Sequence, residues 1–284
     1  MKSILRTMIL AVACLLFLTG CPYIATSQMI RTVGLGEEAT PLNTRTLALE
    51  SSINTLKASD YITKFKPDGD DAIYYFKSGK SNEENVYGSF NIRLGMGNHT
   101  EVKLGVLSGG ISQRYVNTEA QALNGEVITF SDTSSTKIFG FQYGIKRLLT
   151  DYSEPYKISL FLEGQHFNTI SRAATNIYDG KVNQFRTAML LAYVFPENPN
   201  VVPNLSFYYS LAHSERASTF ADIPLEKNIQ SAGSELNLNL NYLVFYFNIY
   251  GGMEREFGPH TSNSLITYLG SRAGLRFDYS HTKD

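Results

Sequence analysis

The sequence predicts an all-β protein: one antiparallel up-and-down β-barrel of about ten strands that crosses a membrane, with eight or twelve strands as the neighbouring solutions. Three observations predict it. Apolar and polar residues alternate with period two through most of the chain, as in strands that separate two different environments. Most alternating runs exceed the five or six residues typical of globular strands, at about 9 to 11 residues or more, and so suit a tilted crossing. Short and long connections also alternate, the asymmetry of a barrel with tight turns on one side of a membrane and longer loops on the other.

The 284-residue chain opens on an export signal. Lys2 and Arg6 form a positive region, Met8 to Leu18 an apolar one, and Thr19-Gly20 a small-residue cleavage site. The apolar run is too short to span a bilayer, which takes about 20 residues. Leu18-Thr19-Gly20-Cys21 resembles the box of bacterial lipoprotein signals. The resemblance implies cleavage before Cys21 and lipidation of that residue by acyl chains such as palmitate, and Pro22 presents nothing that opposes sorting to the outer membrane. The chain therefore divides into a signal peptide (1–20), a periplasmic tether containing Gly34, Gly36 and Pro41 (21–43), and the barrel (44–284). Cys14 leaves with the signal and Cys21 is acylated, so no disulfide, thiolate catalyst or cysteine metal site remains. Loss of Lys2 and Arg6 leaves the 25 basic residues, less two, against 26 acidic ones, a mildly acidic chain with no basic stripe for nucleic acid.

Ten strands follow in order: Thr44 to Thr55, Asn85 to Met96, Glu101 to Gln113, Thr136 to Arg147, Tyr156 to Phe167, Gln184 to Phe195, Asn204 to Ser214, Ser234 to Tyr242, Leu243 to Glu254 and Ser264 to Tyr279. The second sets Val86, Phe90, Ile92, Leu94 and Met96 against Tyr87, Ser89, Asn91 and Arg93. The fourth sets Phe139, Phe141, Tyr143 and Ile145 against Gly140, Gln142, Gly144 and Lys146, and the eighth sets Leu236, Leu238 and Leu240 against Asn237, Asn239 and Asn241. Gly97 to Thr100, Leu148 to Pro155, Pro196 to Pro203 and Tyr242-Leu243 are the short connections. Leu56 to Glu84, Arg114 to Ser135, Asn168 to Asn183, Glu215 to Gly233 and Arg255 to Asn263 are the long polar ones.

From Thr44 to Tyr279 the pattern resembles a bacterial outer-membrane β-barrel. Ile92 to Gly105 is similar to the Gly/Asn hairpins of such barrels, and Leu275, Phe277 and Tyr279 resemble the terminal signal read by the barrel-assembly machinery, although Ser280 to Asp284 follow it. The resemblance implies residence in the outer membrane, a lipid anchor on the periplasmic side, and dealings with outer-membrane lipids, the assembly machinery and the lipoprotein-sorting machinery. A soluble periplasmic barrel would carry the same alternation with its faces reversed. Bulk favours the membrane reading, because the apolar set is large and aromatic; Phe141 is placed near mid-membrane.

Three constellations could carry chemistry. Arg93, Lys146, Arg186, Arg272 and Arg276 share the polar face with Glu163, Gln165 and Asp278, an inward excess of positive charge. Such a ring selects anions in an open pore, whereas in ten strands, with little room beyond their own side chains, a paired network filling the lumen is favoured. His166 and His213-Ser214-Glu215 end outward-running strands and Asp70-Asp71 lies in the first long loop. They are weak candidates for a rim hydrolase of the omptin or lipid A deacylase kind, with neither local motif present. Lys77, Lys80, Glu83, Glu84, Arg172, Lys181, Glu226 and Lys227 give the outer loops a mixed-charge surface on which an extracellular ligand could bind. His99, His260 and His281 have no metal-ligand spacing, and neither metal nor cofactor is expected. The leading expectation is a non-enzymatic, lipid-anchored barrel, either a small channel for anionic solutes or a surface-interaction protein. A rim hydrolase and a soluble lipoprotein are the alternatives.

Overall fold

The computed structural model describes Thr32 and residues 34–65, 74–97, 99–122, 127–173, 176–216, 225–257 and 265–278. Cys14, Cys21, Asp70-Asp71, His260 and His281 lie outside the described residues. Ten strands close into one antiparallel barrel in sequence order, with the last beside the first: β1 (Thr46–Phe65), β2 (Tyr74–Gly97), β3 (Thr100–Ala122), β4 (Val127–Leu148), β5 (Tyr156–Ala173), β6 (Asn176–Tyr193), β7 (Val201–Arg216), β8 (Leu225–Tyr242), β9 (Phe245–Phe257) and β10 (Leu265–Asp278). Closure runs through β1 and β10, from Thr46 opposite Asp278 to Lys57 opposite Thr267. The strands are strongly tilted. Rungs followed from Lys57 through Thr267 and on round the wall descend to Thr100, the first residue of β3, as closing ten strands demands.

The faces decide the solvent. Phe139, Phe141, Tyr143, Leu104, Ile92, Leu162, Leu236 and Leu238 all point outward and are exposed, whereas Asn91, Arg93, Lys103, Gln142, Lys146, Glu163, Arg186, Asn237, Asn239 and Arg272 point inward and are buried. An apolar outside around a charged inside is the reverse of a water-soluble barrel, so the soluble periplasmic reading is overturned. Only lipid solvates such a wall without penalty, and a closed sheet leaves no backbone group unpaired within it. Tyr152, Tyr193, Tyr242, Phe195, Phe245 and Phe277 are exposed around the end with the tight turns, an aromatic girdle built without tryptophan.

Two features differ from the sequence reading. The long polar loops are largely wall: β1 and β2 pair as far as Phe65 opposite Phe76, and β3 and β4 as far as Gln121 opposite Val127. Residues Lys77, Lys80, Glu83, Glu84, Arg172, Lys181, Glu226 and Lys227 therefore stand on strands, because the ladder of hydrogen bonds continues beyond the alternating apolar runs of the sequence. Phe141 is not central. It lies directly opposite His166, toward the outer part of the apolar band, whereas Leu104, flanked by Ile92 and Tyr143 on neighbouring strands, is 63% exposed near its middle. Leu104→Arg should cost about 2 to 4 kcal/mol of stability in a bilayer, the range for a cation at the midplane. Unfolding in lipid vesicles measures it, and a change under about 0.5 kcal/mol, the surface range, would place this face away from lipid.

Candidate functional site: a lumen filled by the amino-terminal segment

Residues 21–43 were expected to form a periplasmic tether; the described part, Thr32 and Gly34–Asn43, instead threads the lumen. Thr32, Leu35, Glu37, Glu38, Ala39 and Leu42 are buried there. The segment carries bare backbone polar groups into a confined space, so the wall must supply partners, and inward side chains do so. Glu101 Oε2 accepts from the Leu42 amide at 2.8 Å, Asn204 Oδ1 from the Ala39 amide at 2.9 Å, and Ser159 Oγ donates to the Ala39 carbonyl at 2.5 Å. Asn237 Nδ2 donates to the Glu37 carbonyl at 2.6 Å, and Arg186 donates to the Gly34 carbonyl and the Thr32 hydroxyl. Gln184 closes a pair with Thr32, accepting from its amide at 3.1 Å and donating to its carbonyl at 2.9 Å.

Gly34-Leu35-Gly36 is the local device. Both glycines have positive φ, 78° and 58°, and a Cβ would fall 2.7 Å from the Tyr268 ring at Gly34 and 2.6 Å from the Tyr250 ring at Gly36. Their bend turns the Leu35 and Gly36 amides onto the Glu235 carboxylate at 2.8 and 2.9 Å, a backbone nest holding an anion. Leu35 and Ala39 pack among Phe161, Leu190, Tyr250 and Tyr268 inside the wall.

The next two residues carry the charge. Glu37 meets Lys103 at 2.9 Å, Lys146 and Arg272 at 3.4 Å and Arg93 at 3.9 Å. Glu38 meets Arg276 at 2.8 Å and Arg93 at 3.1 Å, and Asn239 donates to it at 3.0 Å. At least two cations thus compensate each buried carboxylate.

The inward excess of positive charge expected from sequence is not present. Glu50, Glu101, Glu235 and Glu254 also face inward and are buried, and Glu37 and Glu38 add two more carboxylates. Arg93 binds Glu101 at 2.7 Å and Glu50 at 3.2 Å; Lys146 binds Glu101 at 3.2 Å; Arg186 meets Glu163 at 3.5 Å. Arg272 binds Glu50 at 3.1 Å and Gln165 donates to Gln142 at 3.1 Å. Arg276 is half-buried near the tight-turn end, and Asp278, expected in the lumen, is exposed at the last residue of β10, where the wall ends. Beside the segment remains a cavity of about 20 Å³, lined in part by Gly34, Glu37, Asn91, Gln142 and Arg272, room for about one water.

The hydrolase candidates do not converge. His166 and His213 lie on the outside of the wall, each held by an asparagine, Asn183 at 2.6 Å and Asn228 at 2.8 Å. His213 Nε2 is 3.3 Å from Glu215, but Ser214, between them in the strand, projects to the opposite face because side chains alternate. These three residues cannot act as one nucleophile, base and acid.

The protein is a transmembrane barrel of the outer-membrane kind. No family model and no curated protein matches the chain. Solved structures similar to it are outer-membrane barrels: the protease OmpT of Escherichia coli (10% identity, 85% of this chain and 100% of that one, TM-score 0.47), the translocator domain of the autotransporter NalP of Neisseria meningitidis (11%, 83% and 90%, 0.47) and OprG of Pseudomonas aeruginosa (7%, 85% and 99%, 0.39). What the barrel does is read from the lumen and wall of this chain.

Proposed function

We propose that this protein is a lipid-anchored, closed outer-membrane scaffold that works through its outer surface rather than by conducting solutes or by catalysis. The filled lumen carries this reading: a segment bonded at nearly every residue to the wall, with Glu37, Glu38, Glu50, Glu101 and Glu163 paired to Arg93, Lys103, Lys146, Arg186, Arg272 and Arg276, leaves no ring of free charge among the described residues to draw an ion through. The anchor is Cys21, and the barrel reaches its place by way of lipoprotein sorting and the barrel-assembly machinery. Its ligand binds the strand extensions and connections beyond the outer edge of the membrane, the part of the molecule whose length exceeds what a crossing needs. Planar-bilayer recordings test the reading. The wild-type protein should pass no stepwise current at neutral pH, and steady anion-leaning currents through it would restore the channel for anionic solutes.

A further inference from the structure

The path of the buried segment fixes which end of the barrel it leaves by. Asn43 sits at the tight-turn end, its carbonyl accepting from Thr46, while Arg45 donates to the Gly95 carbonyl just before the β2–β3 turn. Going back along the chain, Leu42 bonds to Glu101, the second residue of β3, and Ala39 to Ser159, three residues beyond Tyr156 in β5. Glu37 then reaches Lys103 and Arg272, Gly36 reaches Glu235, and Thr32 reaches Gln165, nine residues beyond Tyr156. At a strand tilt near 40°, each residue climbs about 2.5 Å. Thr32 thus stands about 15 Å above the level of Ala39 and still rising.

The outside of the wall marks that height. Gln165 and Gln184, the partners of Thr32, adjoin His166 and Asn183, which face outward and pair with each other at 2.6 Å. Below them the outward residues are Leu160, Leu162 and Phe185, all exposed to lipid. By Thr32 the chain has therefore passed the middle of the apolar band, whose outward side chains run on to Phe139 and Ile170. A return to the tight-turn end would need a second strand to pass the level of Glu37, Gln142 and Arg272, which are buried side by side and border a cavity of about 20 Å³, room for about one water. Packing, not reach, opposes it.

We propose that the barrel threads its own amino-terminal segment outward through the lumen, so that Cys21 lies on the outer face and its acyl chains enter the outer leaflet. Cys21 lies eleven chain steps before Thr32; extended, these reach at most about 40 Å, ample to leave the barrel mouth and turn down beside the wall. The anchor then sits on the side opposite to that implied by the lipoprotein resemblance, and the protein displays a lipidated terminus at the cell surface. The lipid part rests on the reading of Cys21 as acylated; the threading does not.

The test uses the full chain with a short epitope inserted between Ser27 and Gln28. A control carries the epitope in the β6–β7 turn between Glu197 and Asn198. On intact cells an antibody should label the amino-terminal epitope to the same extent before and after permeabilisation, and the control only after it. Labelling of the amino-terminal epitope only after permeabilisation overturns the proposal. Should the insertion hinder folding, Ser27→Cys serves instead, probed on intact cells with a membrane-impermeant maleimide and read in the same two directions. Mass spectrometry of the purified chain separates the two claims. An acylated Cys21 with surface labelling supports both, and an unmodified Cys21 with surface labelling overturns the lipid anchor alone.

Discussion

Arg93→Met should lower the stability of the barrel by about 3 to 5 kcal/mol, the usual cost of removing one partner from a buried ionic network. Arg93 is fully buried and grips Glu101 with two nitrogens, Nε to Oε1 at 2.7 Å and Nη2 to Oε2 at 2.9 Å. Its remaining nitrogen lies 3.1 Å from Glu38 and 3.2 Å from Glu50. It is thus shared between the wall and the threaded segment. Methionine keeps much of the volume but leaves those carboxylates with Lys146, Arg272 and Arg276 alone, and a buried uncompensated carboxylate is more costly than the pair was favourable. Urea unfolding in vesicles, followed by circular dichroism because the chain has no tryptophan, measures the loss. Arg276→Met is the comparison. Arg276 is 25% exposed and binds Glu38 at 2.8 Å, so water screens it and its removal should cost about 1 kcal/mol or less. Equal losses at the two positions would show that the network has no buried centre.

The same geometry explains what could be read from the sequence. All ten strands and both faces were legible, because lipid outside and a charged lumen inside impose opposite chemistry on alternate residues; Ile92, Arg93 and Leu94 state the rule in three positions. The outer thirds of the strands were not legible. Beyond the alternating apolar runs the polarity contrast that marks a strand fades although the ladder of hydrogen bonds continues. Glu50 was missed for a related reason: its outward neighbours include Ser51, which blurs the alternation of β1. The threaded segment was hidden more completely, since a chain bonded through its backbone to side chains far away in sequence has no periodicity of its own. A signal did exist. Glu37-Glu38, a pair of carboxylates set in a short stretch with two glycines, stands out from the uncharged residues around it and matches the cations of the inward face. Ser214 was grouped with His213 and Glu215 by adjacency, which in a strand guarantees the opposite face.

Those two carboxylates should also hold the lumen closed. Glu37→Gln with Glu38→Gln removes both charges at once. It leaves Lys103, Lys146 and Arg272 without their shared carboxylate and Arg276 without its ion-pair partner, cations that then repel one another across the lumen. The expected result is a barrel that still folds, because the wall ladder is untouched, but from which the segment is displaced for part of the time. In planar bilayers the double variant should show intermittent current at pH 7 where the wild type is silent, with anions favoured because the exposed lining is then rich in Arg and Lys. Glu197→Gln, on an exposed turn, should remain silent. A double variant as silent as the wild type would mean that the backbone bonds of the segment, led by the Gly34-Leu35-Gly36 grip on Glu235, hold it without the ion pairs.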